Sequence, residues 1–341
     1  GYVSLISAHG LHQIHIFIFF LAIFHVIYSA NVMMLGRLKI REWKVWETEI
    51  ASGVDAISDE AKYRLTHETS FVKGHMNTCS FTQNTVLFYV GCFFRHIFRS
   101  VQRPDYLTLR NGFVSVHLSP GTKFNFQKYI KRSLEDDFKI IVGITPLLWT
   151  NAVIYLILNV KGWQALTWLS ILPLAVILAV GTKLQSIITE MAIEIKEKHS
   201  VVEGIPLVKL SDKHFWFDWP ELVLHLLHLT LFQNAFEITY SIWITYEFGT
   251  NSCFHTHFLL TIFRIGIGIG IQLLCSYITL PLYALVTQMG SHMKKAIFDE
   301  QTSRALMNWH KMVKKKKEAS LAAQPKSSEN QNLQVPPPSP Q

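Results

Sequence analysis

The chain has 341 residues, of which 49% are hydrophobic and only 16% charged. Its mean hydropathy is +0.22 and its net charge +8 at pH 7. Soluble domains carry about 25% charged residues, so this balance excludes an ordinary soluble globular protein and fits a membrane protein with water-facing pieces. Four cysteines in this length exclude a disulfide-built scaffold.

The chain starts Gly1-Tyr2-Val3, with no basic stretch of the kind that opens a signal peptide. Apolar patterning begins so soon that residues 1–10 read as an outside segment of a longer protein. Residues 11–36 hold no Asp, Glu, Lys or Arg and are long enough to cross a hydrocarbon core of about 30 Å as a helix. Residues 37–139 form a long polar loop with structure of its own. In it, 41–69 is charged and expected to be helical. The run Val86–Phe94 is too short to span, and turns basic at Arg95, Arg99 and Arg103. It fits a helix lying on the membrane or packed beneath a bundle. Residues 111–120 mix Gly, Pro and β-branched side chains and predict a loop with a short strand. Residues 124–139 predict an amphipathic helix leading into the second span.

That span is 140–158, with Pro146 near its start. A tight loop follows, then a third span at 164–182 containing Pro173. Residues 183–220 are a mixed polar loop, with a charged helical piece at 190–199 and an aromatic border at Phe215-Trp216-Phe217-Asp218-Trp219. The fourth span is 221–246, the outside loop 247–257 and the fifth span 258–289. The fold class is therefore all-α, a polytopic transmembrane helical bundle. After a basic stretch at 294–317, residues 318–341 turn to Ala, Ser, Gln, Asn and Pro, a disordered composition.

Lys and Arg set the orientation. The loop 37–139 carries 16 of them, 183–220 carries five and the chain after Met289 nine, whereas 247–257 has none. The positive-inside rule makes the first three cytoplasmic. Five spans give the same parity, with the N-terminal end outside and the C-terminal tail inside.

Residues 294–317 alternate apolar and basic side chains at helical spacing. Phe298, Ala305, Leu306, Trp309, Met312 and Val313 fall on one arc, and Arg304, Lys311, Lys314 and Lys315 lie away from it. A basic amphipathic helix with one Trp anchor is a target for calmodulin or for an anionic membrane surface. Calmodulin would take Trp309 into its Met-lined groove once calcium has opened it. Calcium then acts through calmodulin, and no cofactor of the chain itself is expected. Lipid is the other expected partner, and nothing points to nucleic acid. An oligomer is compatible with the pattern.

Glu237 lies mid-span beside Gln233 and Asn234, and Arg264 lies early in the last span. Ionisable groups at membrane depth face a partner or a wet cavity. Glu237 and Arg264 would pair if their helices are neighbours, as a structural ion pair. The alternative is a cation path lined by Glu237, Asn234, Gln233 and Gln272. The pairs His12/His15 and His225/His228, with His25, could bridge helices through a metal. No HExxH or Cys/His cluster accompanies them, so an intramembrane metalloenzyme is the least favoured alternative, and no metal site and no enzymatic activity is assigned. Gly266 and Gly270 form GxxxG, which predicts close helix packing. Pro281 would loosen the last span into a joint before the tail. Cys253 falls in an outside loop with no other Cys placed outside; either it is a free thiol or its partner lies beyond this chain.

Several blocks carry a family resemblance: Leu35-Gly36-Arg37-Leu38-Lys39 with Trp43 and Trp46-Glu47, His67-Glu68-Thr69-Ser70-Phe71-Val72, Cys92-Phe93-Phe94-Arg95 and Phe126-Gln127-Lys128-Tyr129-Ile130. They continue with Leu231-Phe232-Gln233-Asn234-Ala235-Phe236, Leu274-Cys275-Ser276-Tyr277, Leu280-Pro281-Leu282-Tyr283-Ala284, Gln288-Met289-Gly290-Ser291, and Leu306 with Trp309. In this order they resemble the plant MLO family, the seven-span powdery-mildew susceptibility proteins, over nearly the whole chain. The resemblance implies two further spans before Gly1 and a plasma-membrane location. It implies calmodulin binding around Leu306 and Trp309, a role in defence and cell death, and, for part of the family, calcium-permeable channel activity. It matches Cys253 to the last of the family's outside cysteines. Two positions depart from the pattern. Val313 stands where Ala is frequent, and Trp219 where a basic residue is frequent, so no charge role is carried over to Trp219.

Overall fold

The computed structural model describes residues 7–52, 69–75, 84–117, 124–158, 165–201, 212–249 and 258–289. Among them the regular elements are all helices.

Helix α1, Ala8–Ala51, has 44 residues and begins where the Ser7 hydroxyl accepts the Gly10 N–H at 3.0 Å. At 1.5 Å per residue it is about 66 Å long, roughly twice a hydrocarbon core. It therefore runs through the charged border at Arg37–Lys44, where the sequence placed a span end at 36 and a separate helical piece from 41. Residues 69–75 are helical and are labelled α2. Helix α3, Thr85–Phe98, packs along α7 and leaves Val86, Leu87, Val90, Phe94 and Phe98 exposed.

Helix α4, Arg103–His117, replaces the loop and strand expected from Asn111 onward; residues 118–120 lie outside the described residues. Pro104 sits in the first turn, where its missing N–H costs nothing. Asp105 accepts the Gln102 N–H at 3.0 Å. Burial decides the rest: Tyr106 and Phe113 pack in an aromatic cluster with Trp43, Phe126 and Tyr129, which outweighs the weak helix preference of Gly112 and the β-branched residues.

Helix α5, Phe126–Val142, starts at Asn125, whose side chain accepts the Lys128 N–H at 2.8 Å. It buries Phe126, Tyr129, Ile130, Ser133, Leu134, Asp137 and Ile141, the face expected of the amphipathic helix. Helix α6, Pro146–Leu158, follows at a bend of 47°. Helix α7, Ala165–Val201, is one helix of 37 residues containing Pro173, so the third span and the charged piece at 190–199 are continuous. Helix α8, Glu221–Phe248, touches α1, α5, α6, α7 and α9.

The last membrane segment is α9, Phe258–Leu274, then a π turn, Cys275–Thr279, then α10, Leu280–Val286. Pro281 explains the π turn, because it offers no N–H to the Tyr277 carbonyl one turn earlier. That carbonyl instead accepts the Ser100 hydroxyl at 2.9 Å. The loosening expected at Pro281 takes the form of this π turn, and the region is buried. Its end is tied to α5, with Tyr283 donating to Asp137 at 3.1 Å, Tyr129 to Gln288 at 2.7 Å and Gln288 to Ser133 at 2.8 Å.

Among the described residues three helices, α1, α7 and α9–α10, are long and apolar enough to cross a membrane, and the bent α5–α6 pair makes a fourth. Helix α8 is long enough at 28 residues, but His225, His228, Gln233, Asn234 and Glu237 lower its hydropathy. Those polar residues belong to a helix with neighbours on several sides.

Candidate functional site

The polar face of α8 meets polar groups from three other helices. Asn234 is 3% exposed. Its amide donates to the Gly268 carbonyl of α9 at 2.9 Å and to the Tyr28 hydroxyl of α1. Gln233, 1% exposed, accepts from Asn151 of α6 at 3.2 Å and donates to Glu237 at 3.3 Å. Glu237 acts electrostatically on Arg264 of α9 and on Tyr155 of α6. One seam thus joins α1, α6, α8 and α9, and the helices that carry Glu237 and Arg264 are in contact. Gln272 takes part in the described hydrogen bonds only through its carbonyl, which accepts the Ser276 hydroxyl at 2.6 Å.

Burying amides in an apolar bundle is costly unless they are satisfied. Here each amide bonds a different helix, so the seam fixes the register of α8 against its neighbours.

The glycine expectation is corrected. A Cβ at Gly266 or Gly270 would meet open space, whereas one at Gly268 would lie 2.9 Å from Asn234 Oδ1. The close approach is therefore at Gly268, between the two GxxxG positions, because Gly268 faces α8.

The histidines divide as well. His12, His15 and His225 are exposed. His25 and His228 are buried and stack with centroids 6.0 Å apart. His25 bonds the Ile141 carbonyl at 3.1 Å, and His228 lies near the Gly143 backbone. The last carbonyls of a helix have no partner within it, so His25, stacked on His228, caps α5 where the chain bends into α6. Among the described residues no group of three or more His, Cys, Asp or Glu is arranged for a metal ion.

Two buried polar knots flank the bundle. Glu47, 4% exposed, accepts from the Tyr106 hydroxyl at 2.7 Å, from Arg110 Nε at 3.1 Å and from the Phe126 N–H at 3.4 Å. His75 donates from Nδ1 to the Phe71 carbonyl at 2.9 Å, leaving Nε2 to accept from Arg95 at 3.0 Å. Burial, aided by the Arg95 guanidinium, pushes His75 down to about 3. Burial raises the nearby Asp105 carboxyl.

The tail residues Phe298, Arg304, Ala305, Leu306, Trp309, Lys311, Met312, Val313, Lys314 and Lys315 lie outside the described residues, as does Cys253. Sequence reasoning missed Tyr28, Asn151 and Gly268. Asn151 carried a legible signal, a lone amide in an apolar run; Tyr28 and Gly268 gain their roles only from neighbours on other helices.

The sequence profile of the Mlo family matches residues 1–340. MLO-like protein 5 of Arabidopsis thaliana is 61% identical over 95% of this chain and 64% of its own length. MLO-like protein 9 of the same plant is 62% identical over 93% of the chain and 68% of its own length. Protein MLO of Hordeum vulgare is 52% identical over 93% of the chain and 59% of its own length. The chain thus spans about two thirds or less of these relatives. No solved structure matches it. The chain belongs to the Mlo family and is a plant MLO-type membrane protein.

Proposed function

We propose that this member of the Mlo family is a plasma-membrane protein that binds calmodulin through residues 294–317 and modulates plant defence and cell death. The tail is cytoplasmic in this reading, and no catalysis is assigned to the bundle. The observation that carries it is the tail pattern: Leu306, Trp309, Met312 and Val313 share an arc, with Lys311, Lys314 and Lys315 off it. Such a helix matches an apolar groove with an acidic rim. The test is binding of the 294–317 peptide and of the full chain to calmodulin. Binding is expected with calcium and not with chelator, and Trp309→Arg is expected to abolish it. Equal binding by the Trp309→Arg variant refutes the anchor.

A second reading is favoured by one observation, the seam of Asn151, Gln233, Asn234 and Glu237 inside the bundle. In it the protein is a calcium-permeable cation channel damped or gated through the tail. Current recorded across a membrane containing the full-length protein, beside Glu237→Gln, decides it. Absence of calcium conductance in the unmutated protein removes this reading.

A further inference from the structure

We propose that a groove between α3, α7 and Trp216 binds one anionic phospholipid, its acyl chain in the groove and its phosphate on Lys183. The groove has a volume of about 480 Å³, and its walls include Tyr89, Phe93, Ala175, Ala179, Lys183 and Trp216. That volume lies within the ~300–1,000 Å³ of small-molecule sites.

The local sequence explains the groove. Ala175 and Ala179 stand one turn apart on α7, and both are exposed. Two small residues on an outward face leave a furrow where larger neighbours would fill the surface. Aromatic rings close it on both sides: Tyr89 and Phe93 from α3, and Trp216 from the segment before α8. That segment is held in place. His214 bonds Glu190 at 2.9 Å and Glu194 at 3.5 Å. The backbone then turns sharply through positive φ at Phe217 and Asp218, which leaves Trp216 as a wall.

Position and charge choose the occupant. From Ala165 to Thr182, α7 contains no charged residue, and Lys183 is the first. A charge that returns after an apolar run of that length stands at headgroup level. Helix α3 exposes its own apolar face beside the groove, as an interfacial helix does. Lys183 forms no ion pair among the described residues. Of the next carboxylates along α7, Glu190 and Glu194 both face His214, and Glu190 also acts electrostatically on Tyr89 in the groove wall. The mouth of the groove therefore offers an ammonium to an anion, above a furrow that is almost wholly apolar.

The test uses the whole chain in phosphatidylcholine nanodiscs doped with one of two photoactivatable lipids. One is a phosphatidic acid with a diazirine in its acyl chain, and the other is the matching phosphatidylcholine. Peptides carrying Tyr89, Phe93 and Trp216 should be labelled about tenfold more by the phosphatidic acid, whose headgroup keeps a net negative charge where that of phosphatidylcholine is offset by its own ammonium; tenfold corresponds to about 1.4 kcal/mol. Lys183→Gln should bring the two probes level. Ala179→Phe should fill the furrow and remove labelling by both, while labelling of the exposed Phe19 and Phe20 face of α1 continues and reports an intact fold. Equal labelling of the unmutated groove by the two probes overturns the proposal. So does an unchanged ratio in Lys183→Gln, or persistent groove labelling in Ala179→Phe.

Discussion

The imidazole of His96 on α3 fills the space that a side chain at Gly181 on α7 would occupy: a Cβ at Gly181 would collide with His96 Cε1, Nε2 and Cδ2. His96 is fully buried there, beside the Thr279 hydroxyl at 3.4 Å. The missing side chain at Gly181 is what lets the short apolar helix seat on the long one. Overpacking of this kind costs about 1–3 kcal/mol, so Gly181→Ala should lower the melting temperature of the purified protein. Adding His96→Ala to Gly181→Ala should recover part of the loss. Additive losses in the double variant would show that the two positions do not share the space.

Gly268 should be the sensitive glycine of the GIGIGI run. Gly268→Ala places a methyl group 2.9 Å from Asn234 Oδ1 and strains the bond from Asn234 to the Gly268 carbonyl. A loss of about 1–3 kcal/mol is expected. Gly266→Ala and Gly270→Ala point into open space and should stay within about 0.5 kcal/mol of the parent or gain slightly. Thermal unfolding of the three variants side by side decides this. A larger effect at Gly266 or Gly270 would restore the GxxxG reading.

Glu47 should tolerate loss of charge better than loss of the side chain. Glu47→Ala leaves the half-buried Arg110 without its carboxylate and the Tyr106 hydroxyl without an acceptor. Breaking a buried pair in this way costs about 3–5 kcal/mol. Glu47→Gln keeps one acceptor oxygen and should cost less. Limited proteolysis between α4 and α5 reads the difference, and equal cleavage of the two variants would deny Glu47 its role as the knot.

Acid should weaken the protein through two buried histidines. Burial lowers His75 to about 3 and His96 to about 4, against about 6.5 in an unfolded chain. Between those values the unfolded chain binds a proton that the folded one refuses. Stability is therefore fully present above pH 6.5 and is lost as pH falls toward 4 and 3, by up to about 1.4 kcal/mol per pH unit for each histidine. Asp105 acts in the opposite sense, because burial raises its carboxyl and the folded state takes up that proton first. Melting temperature measured across this range should fall on acidification, with a shallower slope in His75→Gln and in His96→Gln. An unchanged slope in both variants rules the histidines out.

Much of this protein was legible in its sequence because the bilayer imposes one-dimensional rules. Charge-free runs mark membrane helices, the 3.6-residue period marks the buried face of α5, and the amides beside Glu237 mark a buried polar place. Family membership, too, rests on short blocks in fixed order. Other features were set only by tertiary packing. Arg37–Lys44 reads as a border, yet α1 continues through it, because Trp43 and Glu47 are buried against α4 and α5. Asn111–His117 reads as loop, yet aromatic burial winds it into α4. The GxxxG pair reads as the packing face, yet Gly268 takes that place, since a spacing of four names a helix face without saying which face meets a neighbour. Pro281 reads as a place where the last helix loosens, but only the fold shows that Ser100, just past the end of α3, takes the carbonyl that the proline leaves free. In each case the deciding partner lies far along the chain, where local periodicity carries no information about it.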